Sequence, residues 1–242
     1  MFVKRLRLAA GHPGGWPFTL APIRQLGTGE GVALDRPITF LVGENGSGKS
    51  TLVEAIADAA KIGSFGGKAG TKYAPPGEPT LLGEYLDVDL TTAGLRMTSG
   101  PRRQRRGFFL RAETLFDLSR QVGGRPGYWS EDLEELSHGE GFLAVFDAML
   151  REPGLYLFDE PEAALSFTSC LRLVGLMLDL ADSGSQIVCA THSPILAATP
   201  GAEILELGEQ GIERTEWRDL ALVDHWARFM GRPDAYLRHI VP

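Results

Sequence analysis

The sequence predicts an α/β protein: a mostly parallel central sheet with helices on both faces, an N-terminal antiparallel β subdomain and a short helical subdomain. Two observations carry this expectation. Three apolar runs, Ile38–Val42, Leu155–Phe158 and Gln186–Thr191, have the length and the β-branched or aromatic content of strands buried on both faces. Helical periodicity separates them, and each run ends in a polar cluster. Strands alternating with helices argue for a parallel sheet, whose site lies at the carboxyl ends of its strands.

The chain has 242 residues, 43% of them hydrophobic and 23% charged, which fits one globular domain over 1–242. The β subdomain is expected at about 1–37 and 80–100, and the helical region at about 112–150. A formal net charge of -7 excludes a global basic field that would attract nucleic acid. Cys170 and Cys189 sit in apolar surroundings without metal-ligand spacing, as buried thiols of a reducing compartment do. No apolar stretch follows the first charges as in a signal peptide, and none approaches the ~20 residues of a membrane span. The expected location is cytoplasmic.

Residues 1–37 hold short apolar alternations broken by glycines and prolines, and read as two or three short strands. Trp16 and Phe18 fall here, either to stack on a ligand base or simply to pack. After Ile38–Val42 comes Gly43-Glu44-Asn45-Gly46-Ser47-Gly48-Lys49-Ser50-Thr51, followed by apolar residues at helical spacing. Strand, glycine-rich loop and helix together make a phosphate-binding loop. Its backbone N–H groups form an anion nest with the helix N-terminus. Lys49 is spaced to reach β- and γ-phosphate oxygens, and the Ser50 hydroxyl to ligate Mg²⁺.

Residues 61–79 read as a surface loop, and 82–97 as a strand hairpin turning at Thr91–Gly94. The dense basic run Arg102, Arg103, Arg105 and Arg106 is either a solvated loop tip or a local anion-binding patch for nucleic acid or an acidic partner. A strand at 107–110, a helix at 112–120, a loop at 122–129 and helices starting near Ser130 and spanning 142–150 follow. Then come Leu155–Phe158, a helix over Leu165–Leu180, the strand Gln186–Thr191, a hairpin (203–207 with 211–216) and short helices over 219–238. Asp159 and Glu160, directly after the second strand, complete a nucleotide site: Asp159 to hold Mg²⁺, Glu160 to polarise a water in line with the γ-phosphorus.

Five motifs stand in order: GENGSGKST, the FLRAE of Phe109–Glu113, LSHGE, LYLFDEPEAALS and ATHSP. In these the chain resembles the ABC-type P-loop ATPases, in the branch that includes SMC and recombination-repair ATPases, and especially small predicted bacterial ATPases that stand alone. The resemblance implies ATP and Mg²⁺ as ligands and an ATP-sandwich homodimer. It implies that Ser137 and the Gly139 backbone contact the γ-phosphate bound by the opposite subunit, and that His192 is the switch histidine. Gly43, Asn45, Gly46, Ser47, Gly48, Lys49, Ser50 and Thr51 would hold the nucleotide, with Ser50, Asp159 and Glu113 around the metal and Glu160, His192 and Lys49 as the catalytic set. Residues 163–166 correspond to the D-loop. Glu113 stands where the Q-loop glutamine belongs, with Gln104 as the alternative, and His138 and Glu140 depart from the LSGGQ signature. The short span from Glu113 to Ser137 leaves no room for the longer helical subdomain of transporter subunits or for a coiled coil. The chain is therefore expected to be an ATPase first, then an ATP-gated interaction module of DNA repair or defence with an unidentified protein partner, and last a transporter's ATP-binding subunit.

Overall fold

A computed structural model describes residues 1–62, 67–68, 79–99, 107–111, 150 and 152–238. The main sheet has seven strands: β3 (Ile38–Val42), β4 (Gly67–Lys68), β6 (Gly107–Arg111), β7 (Leu155–Asp159), β8 (Gln186–Thr191), β9 (Glu203–Gly208) and β10 (Gly211–Thr215). Their spatial order is β10-β9-β3-β8-β7-β6-β4. The inner pairs are parallel, and the two edge pairs, β10 with β9 and β4 with β6, are antiparallel.

Every residue of β3, β7 and β8 is buried, because side chains alternate between two covered faces. Leu41, Leu157 and Val188 pack on one face with Leu52, Val53 and Ile56 of helix α2 (Lys49–Ala59). Phe40, Phe158 and Cys189 point the other way, to Cys170, Leu173 and Met177 of helix α4 (Phe167–Asp182). Helix α4 starts where Ser166 caps it, its side chain accepting from Ser169 N. This cap stops the helical pattern from reaching back to Leu165.

A second, antiparallel sheet has the order β2-β1-β5, from β1 (Val3–Leu8), β2 (Val32–Ala33) and β5 (Leu86–Leu90). Three segments differ from expectation: within 61–79, expected as a surface loop, Gly67–Lys68 form the edge strand β4. Between β1 and β2 the chain forms helix α1 (Ala21–Leu26), opened by Pro22 in its first turn. The expected hairpin over 82–97 has only its first strand, β5; helix α3 (Thr92–Ser99) follows. Thr91 is the reason: its hydroxyl accepts from Gly94 N at 3.0 Å, which starts a helix where a turn was read. Gly94 serves close approach, since a Cβ there would lie 2.2 Å from Phe2 O. The chain closes with α5 (Pro194–Ala197), α6 (Ala221–Gly231) and α7 (Pro233–Leu237). The helices expected within 112–149, the arginine run 102–106, Gln104, Glu113, Ser137 and Gly139 lie outside the described residues.

Gln186, fully buried at the start of β8, fastens the two sheets. Its Oε1 accepts from Phe2 N (2.6 Å) and Val3 N (2.7 Å), and its Nε2 donates to Val3 O (2.8 Å). Gln186→Leu keeps the volume but strands these backbone groups, each worth about 1–3 kcal/mol when left unpaired. Urea unfolding should show a loss of roughly 3 kcal/mol; an unchanged midpoint would mean that this bridge carries no stability.

Candidate functional site

The loop between β3 and α2 has its shape because two glycines are required there. Gly43 passes so close to β9 that a Cβ would sit 2.3 Å from Leu207 O. Gly48, the N-cap of α2, holds φ 97°, a left-handed conformation that a side chain would penalise. Glu44, Asn45 and Gly46 are exposed, whereas Lys49 is buried. The Lys49 ammonium donates to Gly43 O (2.8 Å) and Glu44 O (3.1 Å), so it lies beneath the loop that it would share with an anion. Ser47 Oγ is buried without a hydrogen-bond partner among the described residues.

At the end of β7, Asp159 is buried and takes a hydrogen bond from the Ser50 side chain. Its Oδ1 has no hydrogen-bond partner among the described residues. Arg111, in register with Asp159 on β6, places Nε 3.4 Å from Asp159 Oδ2 and a terminal nitrogen 2.7 Å from Glu54 Oε1 of α2. Sequence reading passed over Arg111. Its signal was a cation ending an apolar strand, but only the pairing of β6 with β7 shows which carboxylate it meets.

Glu160 turns the chain with φ 49°, a left-handed value rare for a residue with a side chain. Its N–H donates to Ala190 O at 2.9 Å, tying the end of β7 to β8. Glu160 Oε1 then lies 3.4 Å from His192 Nε2. Glu162 accepts from Thr191 Oγ1 and from the His192 backbone N–H, both at 2.6 Å. Glu162 also escaped sequence reading, since a glutamate after Asp-Glu-Pro looks like any surface residue of a turn.

The structure thus brings together Gly43–Thr51, Asp159, Glu160 and His192 at the carboxyl ends of β3, β7 and β8, while Glu113, Ser137 and Gly139 lie outside the described residues. Burial pushes the Asp159 and Glu162 carboxyls up, against the opposing hydrogen bonds from Ser50 and Thr191. Burial pushes the Lys49 ammonium down, although Glu160 and Asp159 oppose that shift. A buried oxygen without a partner, beside a hydroxyl, is a donor set suited to a hard divalent cation. Beside the loop a cavity of about 270 Å³ is lined by Gly43, Glu44 and His192 together with Glu206, Glu209 and Glu213. Of the two aromatics singled out earlier, Phe18 is buried and stacks on His12 with ring centroids 4.4 Å apart, while Trp16 is 67% exposed.

A family model described as "AAA domain, putative AbiEii toxin, Type IV TA system" matches residues 127–198, and one described as "AAA domain" matches 19–73. The aliphatic sulfonates import ATP-binding protein SsuB 2 of Nocardia farcinica is 33% identical over 64% of this chain and 58% of its own length. A putative ABC transporter ATP-binding protein of Streptomyces coelicolor is 28% identical over 70% of this chain and 31% of its own. The chain is a P-loop ATPase domain of the ABC type. A solved ATP-binding subunit of an ABC transporter covers 93% of this ABC-type domain and 99% of itself, with a TM-score of 0.51 at 18% identity, and so shares the fold. The domain spans only 25% of ABC transporter G family member 6 of Arabidopsis thaliana, and less than two thirds of the other relatives named here.

The raised Asp159 carboxyl has a consequence for stability. A group whose folded pKa lies above its unfolded one stabilises at low pH and loses that contribution as pH rises through the folded value. Ionised Asp159 therefore costs stability at neutral pH. Asp159→Asn should melt higher than wild type at pH 7 without nucleotide or Mg²⁺, with the gap closing as pH falls toward the ordinary value of 3.8. A lower melting temperature at pH 7 would mean that the Ser50 and Arg111 contacts outweigh burial.

Proposed function

We propose that this domain binds ATP with Mg²⁺ at the Gly43–Thr51 loop and hydrolyses it with Glu160 as the base. The observation that carries the reading is the 3.4 Å approach of Glu160 to His192, at the ends of adjacent strands beside the loop. Glu160 takes the proton of a water whose oxygen attacks the γ-phosphorus, the bond to the β–γ bridging oxygen breaks, and ADP and phosphate leave. His192 orients the water, and Lys49 gives up its backbone carbonyls for the β/γ-phosphates. Mg²⁺, when bound, would neutralise charge developing on the phosphates. Ser50 and Asp159 are its ligands in this reading, with Glu113 as a further one. Ser137 and Gly139 of a second copy close over the γ-phosphate, so the assembly is a two-fold ATP sandwich.

For the output, the relatives favour the alternative placed last on the short Glu113–Ser137 span. Their names are those of transporter ATP-binding proteins, which supports an ATP-binding subunit working with a separate membrane partner. No helix among the described residues is long and apolar enough to cross a membrane, so that partner would supply the passage.

Lys49→Ala should abolish hydrolysis and weaken nucleotide binding by removing the point charge on the phosphates. Glu160→Gln keeps the shape without the base, and light scattering should find it dimeric with Mg-ATP and monomeric with Mg-ADP. Wild-type turnover in Lys49→Ala would sink the loop assignment. A monomeric Glu160→Gln at saturating Mg-ATP would sink the sandwich.

A further inference from the structure

Two carboxylates follow Asp159, and the hydrolytic reading uses only Glu160. Glu162 lies on the 3-10 turn Pro161–Ala164, and its Oε1 receives two donors from the neighbouring strand end. The Thr191 hydroxyl and the His192 backbone N–H both reach it at 2.6 Å, short bonds of the kind a carboxylate makes. Thr191 Oγ1 accepts in turn from Ser193 N at 2.9 Å, and the Ser193 side chain accepts from Leu196 N at the start of α5. Glu162 thus holds three consecutive residues around His192, two directly and Ser193 through Thr191. On its own side it is three residues from Asp159 and two from Glu160, whose N–H is anchored to Ala190 O.

We propose that Glu162 is the positioning residue that sets His192 against Glu160, clamping the loop after β8 to the loop after β7. Nothing in the Glu162 contacts points to ATP itself; the carboxylate works through the backbone of His192 and the hydroxyl of Thr191. Without it, the two strand ends remain joined by the Glu160 N–H to Ala190 O bond, but the His192 N–H loses its acceptor and the Thr191 hydroxyl its tie to the loop after β7. A catalytic group displaced by about 1 Å can cost on the order of 100-fold in rate while substrate binding stays intact.

The proposal rests on the hydrolytic reading, and its test separates the two. In the full chain, Glu162→Ala should lower kcat about 10- to 100-fold with KM and fluorescent-ATP affinity within about twofold. Glu162→Gln, whose amide oxygen still accepts both donors, should recover most of that loss. The His192 amide proton resonance, shifted downfield by a short bond to a carboxylate, should move upfield in Glu162→Ala. Should Glu162→Ala fail to fold, Thr191→Val, which removes one donor at nearly constant volume, should show the same split between kcat and KM. Wild-type kcat in Glu162→Ala, or a Glu162→Gln as impaired as Glu162→Ala, overturns the proposal. An absence of turnover in the wild type overturns the hydrolytic reading instead, and an unmoved His192 amide in Glu162→Ala then overturns the clamp independently.

Discussion

The parallel pairing of β3, β7 and β8 is the constraint on which the molecule depends. Val42 stands opposite Thr191, and Asp159 opposite Ala190, so the three strands end at one level. Both faces of these strands are covered by helices, which leaves no place along their length for an unpaired polar group. Polar chemistry is forced to the ends, where the backbone leaves the sheet and its N–H groups become available. The phosphate loop, the Asp159–Glu160 pair and His192 are neighbours because the register permits nothing else.

That arrangement has an electrostatic cost, and the cost explains the chemistry. Lys49, Asp159 and Glu162 are held against an apolar interior that disfavours the charged form of each. The groups offset one another only in part: Lys49 donates to backbone carbonyls, and Arg111 is shared between Asp159 and Glu54. In the function proposed above, a phosphate would replace the carbonyls as partner of the lysine, and a divalent cation would take the Asp159 oxygen that has no partner among the described residues.

Gln186 is one of the side chains that join the antiparallel sheet to this core, beside Arg214, which donates to Ala33 O of β2, and the shared apolar packing of Val3 and Leu6. Gln186 lies at the opposite end of β8 from His192, so the strand that carries the His192 loop at its carboxyl end holds the second sheet at its amino end. Fixing both ends of β8 keeps the histidine loop in place relative to Gly43, whose backbone passes β9 with no room for a methyl group.

The sequence by itself determined the three buried strands, the glycine loop and the polar cluster after each strand, because these are local. A fully apolar run has one stable environment, and a loop lying between a strand and a helix has few uses for a Gly-Lys-Ser ending. Thr91–Gly94 reads locally as a hairpin turn, whereas the Thr91 hydroxyl, accepting from Gly94 N, opens helix α3 there. Arg111 and Glu162 were beyond local reasoning altogether. Their partners, Asp159 and Glu54 for the first and Thr191 with His192 for the second, lie far away in the chain or on another strand. Only the order and register of the strands, set by burial on both faces, bring those charges together.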